Sequence, residues 1–194
     1  PTPFEWNKIE LPLLTNFVKW DNEKVNKAIW IGATTGITKN DNFEYQGTRL
    51  NIYHAVKNCP LIDFHFSKNS HISYFPTLDT KVSVEEQCKY KLILCIDGWA
   101  FPGNLNWVLT QSDCIPVICT DFYIGIVSNH LRPWEHFIPI KSDGSDVVEI
   151  VTRMLNPYFS TYLYDMLNRL RKVVHEEFTP ENFEQELVLS LYDA

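Results

Sequence analysis

Five short apolar runs alternate with stretches whose apolar residues recur every three or four positions. Residues 28–31 (Ala-Ile-Trp-Ile) end in Gly-Ala-Thr-Thr-Gly, and residues 46–57 follow with Leu50, Ile52, Tyr53 and Val56 at helical spacing. Residues 61–66 form a second run. Residues 91–97 form a third, apolar over five consecutive positions, as a strand buried on both faces would be. Residues 114–119 and 136–140 are the fourth and fifth. Ser83 with Glu86 three residues on reads as a helix start with a capping box, and residues 103–109 read as a helical piece. Three amphipathic stretches, 146–155, 158–177 and 180–191, close the chain. Pro116 and Pro139 have no N–H for a ladder, so their strands are expected to be edge-like or short.

This alternation predicts an α/β fold, a doubly wound parallel sheet covered by helices. Such sheets bind ligands beyond the carboxyl ends of their strands, which directs attention to residues 32–40, 97–104, 120–124 and 141–145. Residues 1–26, with Pro1, Pro3, Pro12 and scattered aromatics, read as an N-terminal aromatic arm ahead of one domain spanning 27–194.

Composition narrows the class of partner. The chain has 194 residues and a net charge of -7 without a basic cluster, which argues against nucleic acid. No stretch approaches the roughly 20 apolar residues of a membrane span, and the first ten residues lack a secretory signal pattern. The five cysteines are an odd number and mostly lie in apolar runs, so they read as buried free thiols. The six histidines have no metal-ligand spacing, and no Asp-x-Asp pair exists to clamp a diphosphate through a metal. No resident cofactor or metal is expected, and a cytoplasmic protein of microbial or viral type fits these features.

Two loops carry the candidate chemistry. Gly32, Ala33, Thr34, Thr35 and Gly36 combine backbone amides, two hydroxyls and glycines that permit close approach of a diphosphate, although an ordinary strand-to-helix turn has the same composition. Arg49, at the start of the next helix, would add a cation, or would be a solvated helix residue. Asp97, Gly98, Trp99, Ala100, Phe101, Pro102, Gly103 and Asn104 place an acid at a strand end, then two rings, then a Pro-Gly entry to a helix. The rings could stack on a base or sugar, or turn inward over the core. Asp121, just past the fourth run, suits a pair of sugar hydroxyls. His130, Glu135 and His136 could serve acid/base chemistry or simply flank a loop.

Residues 88–98 (Cys-Lys-Tyr-Lys-Leu-Ile-Leu-Cys-Ile-Asp-Gly), the run Cys-Ile-Pro-Val-Ile and residues 130–143 (His-Leu-Arg-Pro-Trp-Glu-His-Phe-Ile-Pro-Ile-Lys-Ser-Asp) resemble the CAP10-like glycosyltransferases, family 90. Trp30-Ile-Gly-Ala-Thr-Thr-Gly36 is similar to that family's first glycine loop. The resemblance implies a GT-B enzyme whose Rossmann-like lobe holds a UDP-sugar, a co-substrate rather than a cofactor, and passes xylose or glucose with inversion to a hydroxyl of a glycan or protein acceptor. By position, residues 32–35 would line the diphosphate and residues 98–104 would face the nucleotide-sugar.

Two departures accompany the resemblance. The family has Arg where this chain has Ile31, and Arg again where it has Asn104, so Arg49 or Lys39 would have to supply the missing charge. The family's catalytic base lies upstream of the aromatic arm, which makes that arm the remnant of an acceptor lobe, puts the base outside this chain and leaves Asp97 as the substitute within it. The alternatives are a non-catalytic nucleotide- or glycan-binding module, prompted by Ile31 and Asn104, and an exostosin-like transferase, prompted by Cys-Ile-Pro-Val-Ile. Trp99, Phe101 and Trp134 are the rings expected beside the nucleotide-sugar, and Trp134 with His136 outside the donor cleft would favour the exostosin-like reading.

Overall fold

The computed structural model describes residues 20, 23–67, 72, 75–78, 80–99, 101–119 and 130–178. The expected helix at 180–191 and nearly all of the aromatic arm lie outside them. Five parallel strands form the central sheet: β1 (Val25–Gly32), β4 (Ile62–Phe66), β5 (Tyr90–Ile96), β6 (Ile115–Cys119) and β7 (Ile138–Pro139), in the order β4-β1-β5-β6-β7. A small antiparallel hairpin of β2 (Thr38–Lys39) and β3 (Tyr45–Gln46) stands between β1 and the first helix. The helices are α1 (Thr48–Val56), α2 (Val84–Gln87), α3 (Leu105–Gln111), α4 (Val147–Met154) and α5 (Ser160–Glu177).

Period-two alternation along each strand divides the core between two faces. Ala28, Trp30, Leu92, Leu94, Ile96, Ile115, Val117 and Ile138 face one side, where Leu50, Ile52 and Val56 of α1 and Val147, Val151 and Met154 of α4 cover them. Ile29, Ile93, Cys95 and Ile118 face the other and meet Leu105, Val108 and Leu109 of α3. Helix α5 adds Leu163, Met166 and Leu167 to the first cluster and Leu170 to the second. The core starts early, since Trp20 is already buried in it. No helix among the described residues is long and apolar enough to cross a membrane.

Pro139 sits in a two-residue edge strand, as its missing donor requires, but Pro116 does not: β6 runs for five residues between β5 and β7. Parity explains the difference. The Cys119 carbonyl accepts from Asp97 beyond β5, and the Ile118 carbonyl accepts from Ile140 beyond β7. Pro116 shares the parity of Ile118, so its donorless nitrogen faces the β7 side, ahead of the first β6–β7 pair at Val117↔Ile138. An interior strand therefore tolerates this proline. Helix α2 is a single turn, with the Ser83 hydroxyl accepting from the Glu86 amide at 3.1 Å as the capping pattern predicts.

The segment before β7 is held by His136, which is 4% exposed and whose Nδ1 accepts from the Arg132 amide at 2.9 Å. That bond requires a neutral ring, and burial, aided by Arg169 and Arg132 against the pull of Glu135, holds its pKa below the usual histidine value. Depression of a folded-state pKa makes the contribution full above pH ~6.5 and lost as pH falls through the depressed value. The melting temperature is expected to fall from about pH 7 to about pH 5, less steeply in His136→Gln, as thermal unfolding across that range would show. Leu94→Ala, at a fully buried position, is expected to cost about 3 kcal/mol in denaturant unfolding.

Candidate functional site

The order in which strands are added reverses at one place in the sheet. From β1 the chain crosses to β4 on one side and then returns to build β5, β6 and β7 on the other, so the crevice lies between β1 and β5. The ladders locate it closely. Pairing of β1 with β4 continues to Gly32↔Phe66 and that of β5 with β6 to Ile96↔Cys119, whereas the β1–β5 pairs stop at Ile29↔Ile93. Over their last three residues the two central strands diverge, leaving carbonyls of β5 on the β1 side to find other donors.

Two side chains provide them. Asn104 Nδ2 donates to the Leu94 carbonyl at 2.8 Å, and Arg49 Nη2 donates to the Ile96 carbonyl at 3.0 Å. Arg49 also donates through Nε to the Asp97 carbonyl at 3.0 Å and through Nη1 to the Ala33 carbonyl at 2.8 Å and the Thr35 hydroxyl. One guanidinium thus joins the loop after β1 to the loop after β5. Its other neighbour is the Trp30 ring, 5.3 Å from Arg49 Cζ to the ring centroid. Burial lowers the Arg49 pKa to about 10 against the opposing attraction of Asp97, so it stays charged at neutral pH. Asp97 is itself only 7% exposed.

The two loops touch backbone to backbone. Gly36, at φ 84°, lies so close to Gly98 that a Cβ would come within 2.8 Å of the Gly98 Cα, and a Cβ on Gly98 would stand 2.6 Å from the Thr35 hydroxyl and 3.0 Å from Arg49 Nη2. Gly47, immediately before α1, meets the Gly36 carbonyl in the same way. Its sequence signal was a glycine just ahead of a helix, which alone does not separate a cap from a contact.

The expected site residues therefore fall into groups. Gly32 to Gly36, Arg49, Asp97, Gly98 and Asn104 converge on the crevice, with Thr34 buried, and Trp99, next to Gly98 in the chain, is 67% exposed. Phe101 turns inward and packs on the α3 cluster, Pro102 is buried, and Gly103 has open space around it. Ala100 and Asp121 lie outside the described residues. Lys39, on the hairpin, sits 5.1 Å over the Tyr45 ring. Trp134, expected beside the nucleotide-sugar, is instead at the opposite end of the sheet with His136, because it precedes β7 and therefore lies where the strands begin. Among the described residues no three His, Cys, Asp or Glu side chains gather as metal ligands would.

This packing makes the contacts of Gly36 and Arg49 unequal to those of Gly103. Gly36→Ala is expected to destabilise the chain by about 2 kcal/mol and Arg49→Lys by a similar amount, while Gly103→Ala changes it by less than about 0.5 kcal/mol. Denaturant unfolding of the three variants measures this order.

Several known proteins are similar to this chain. Protein O-glucosyltransferase 2 of Danio rerio is 30% identical over 131 residues, covering 67% of this chain and 25% of its own length. Protein O-glucosyltransferase 1 of Rattus norvegicus is 24% identical over 153 residues, covering 75% of this chain and 36% of its own length. An uncharacterised protein, 035R, of Invertebrate iridescent virus 3 is 26% identical over 176 residues, covering 77% of this chain and 16% of its own. This chain thus spans about a third or less of the curated relatives it matches. The crystal structure of TarM matches with a TM-score of 0.53 at 16% identity, over 90% of this chain and 38% of TarM. The likeness extends to the fold, a Rossmann-like parallel sheet covered by helices. Although the position of Trp134 and His136 by itself suits an exostosin-like chain, the family model for glycosyl transferase family 90 matches residues 3–156, and this chain belongs to that family.

Proposed function

We propose that this chain is the nucleotide-sugar-binding lobe of a glycosyltransferase that moves xylose or glucose from a UDP-sugar to a hydroxyl of a glycan or protein acceptor, with inversion. The observation that carries the reading is the contact of two glycine loops at the carboxyl ends of the strands, at the switch point of a family 90 chain, which is where sheets of this kind bind nucleotides. Arg49 holds this surface and sets a positive charge beneath it, and Trp99 offers a ring to the base or sugar. Asp97, 7% exposed and beside Arg49, supports the loop; inversion needs a carboxylate that reaches solvent and the acceptor hydroxyl, and the reading assigns that base elsewhere.

A second reading, a binding module without turnover, has its own observation. Ile31 pairs within the β1–β4 ladder, and the Asn104 amide is committed to the Leu94 carbonyl, so neither position supplies the cation that the family pattern has there. Leaving-group stabilisation then rests on amides and Arg49 alone.

Calorimetric titration with UDP, UDP-xylose and UDP-glucose is expected to give binding in the micromolar to low millimolar range, weakened about tenfold or more in Gly98→Ala. No heat from any uridine nucleotide at about 10 mM overturns both readings. Binding without UDP release, when acceptor and the full-length gene product are supplied, selects the second.

A further inference from the structure

The segment that resembles family 90 most closely, His-Leu-Arg-Pro-Trp-Glu-His, lies away from the crevice and carries an unusual backbone. Trp134 has φ 65°, one of two non-glycine residues with positive φ among those described. The left-handed region disfavours a bulky side chain, and residues held there often mark functional sites. The surroundings fix it: the Trp134 amide donates to the Phe137 carbonyl at 2.8 Å, and the Tyr162 hydroxyl donates to the Trp134 carbonyl. Despite this, the ring is not taken into the core and remains 42% exposed.

Beside the ring is an open pocket of about 300 Å³, lined by Trp134, Arg153, Met154, Phe159 and Tyr162. Its aromatic wall extends outward, since Tyr158, 87% exposed, packs edge-on against Phe159 with centroids 5.5 Å apart. At the rim, Arg153 and Glu149 form an exposed ion pair at 2.9 Å on neighbouring turns of α4. The Leu155 carbonyl, just past α4, accepts from Asn26 near the start of β1, which puts the pocket at the sheet end remote from the glycine loops.

We infer that this pocket is a second sugar site, which binds a pyranose ring of a glycan independently of the nucleotide-sugar crevice. The choice of ligand rests on the glycosyl-transfer reading together with the lining. Aromatic faces match the C–H face of a pyranose, and the Arg153–Glu149 pair offers planar donors and acceptors to adjacent hydroxyls. A wholly apolar partner would desolvate that pair without replacing its hydrogen bonds. Sugar bound here anchors a glycan chain, while the crevice at the other end of the sheet handles the donor.

Saturation-transfer NMR on the 194-residue chain, with cellobiose, xylobiose and maltose each at about 10 mM, tests this. Transfer to at least one of the three is expected, unchanged by UDP, at least about tenfold weaker in Trp134→Gly and about threefold or more weaker in Arg153→Ala. Glycine adopts φ 65° without penalty, so Trp134→Gly is expected to melt no lower than the wild type, an outcome that a structural role for the ring would reverse. Absence of transfer from all three sugars, full transfer in either variant, a lower melting temperature for Trp134→Gly, or displacement of the sugar by UDP overturns the inference. Because the sugars are tested without nucleotide, failure of UDP to bind leaves this result standing and counts only against the donor-lobe reading.

Discussion

The crevice depends on a single guanidinium. Two parallel strands that diverge over three residues expose carbonyls that have lost their ladder donors, and carbonyls left unpaired inside a protein carry a penalty of about 1–3 kcal/mol each. Arg49 meets this demand at several points at once, bonding to Ala33, Thr35, Ile96 and Asp97 from the first turn of α1. The fixed fork of its donors is what allows one side chain to join two loops, and a lysine point charge has no equivalent geometry. The close contacts of Gly36 with Gly98 and of Gly47 with the Gly36 carbonyl lie beside that join.

The rest of the fold supports the brace. Trp30 is 2% exposed, stacks on Phe64 with centroids 4.3 Å apart, and has the Arg49 guanidinium over its ring at 5.3 Å from the centroid. The Trp30, Phe64, Phe66, Tyr53 and Phe75 rings form one aromatic cluster on the α1 side of the sheet. Charge that the sequence offered to a diphosphate is therefore held beneath the loops.

The two ends of the sheet are physically different places. At the carboxyl ends, backbone approaches backbone and glycine is required at Gly36 by its φ as well as by the space around it. At the amino ends, the Arg132–His136 turn is locked by a buried imidazole and presents a strained aromatic ring to solvent. Trp99 follows a strand and Trp134 precedes one, which in a parallel sheet puts the two rings at opposite ends.

How much of this was legible from the residues can be judged at particular positions. Apolar runs and three- to four-residue spacings determined the strands and helices, because burial on a sheet face or helix stripe leaves a period in the chain itself. The glycine loops stood out for the same local reason, as did the resemblance to family 90. Yet the hairpin of β2 and β3 escaped, being two short pairs with no period to read. Pro116 was expected at an edge because sequence records a missing donor but not the side it faces. Whether Arg49 would point at a ligand or at the backbone only the tertiary structure decided. That depends on strand order and on where a ladder stops, which are relations between segments distant in sequence, and no single segment carries them.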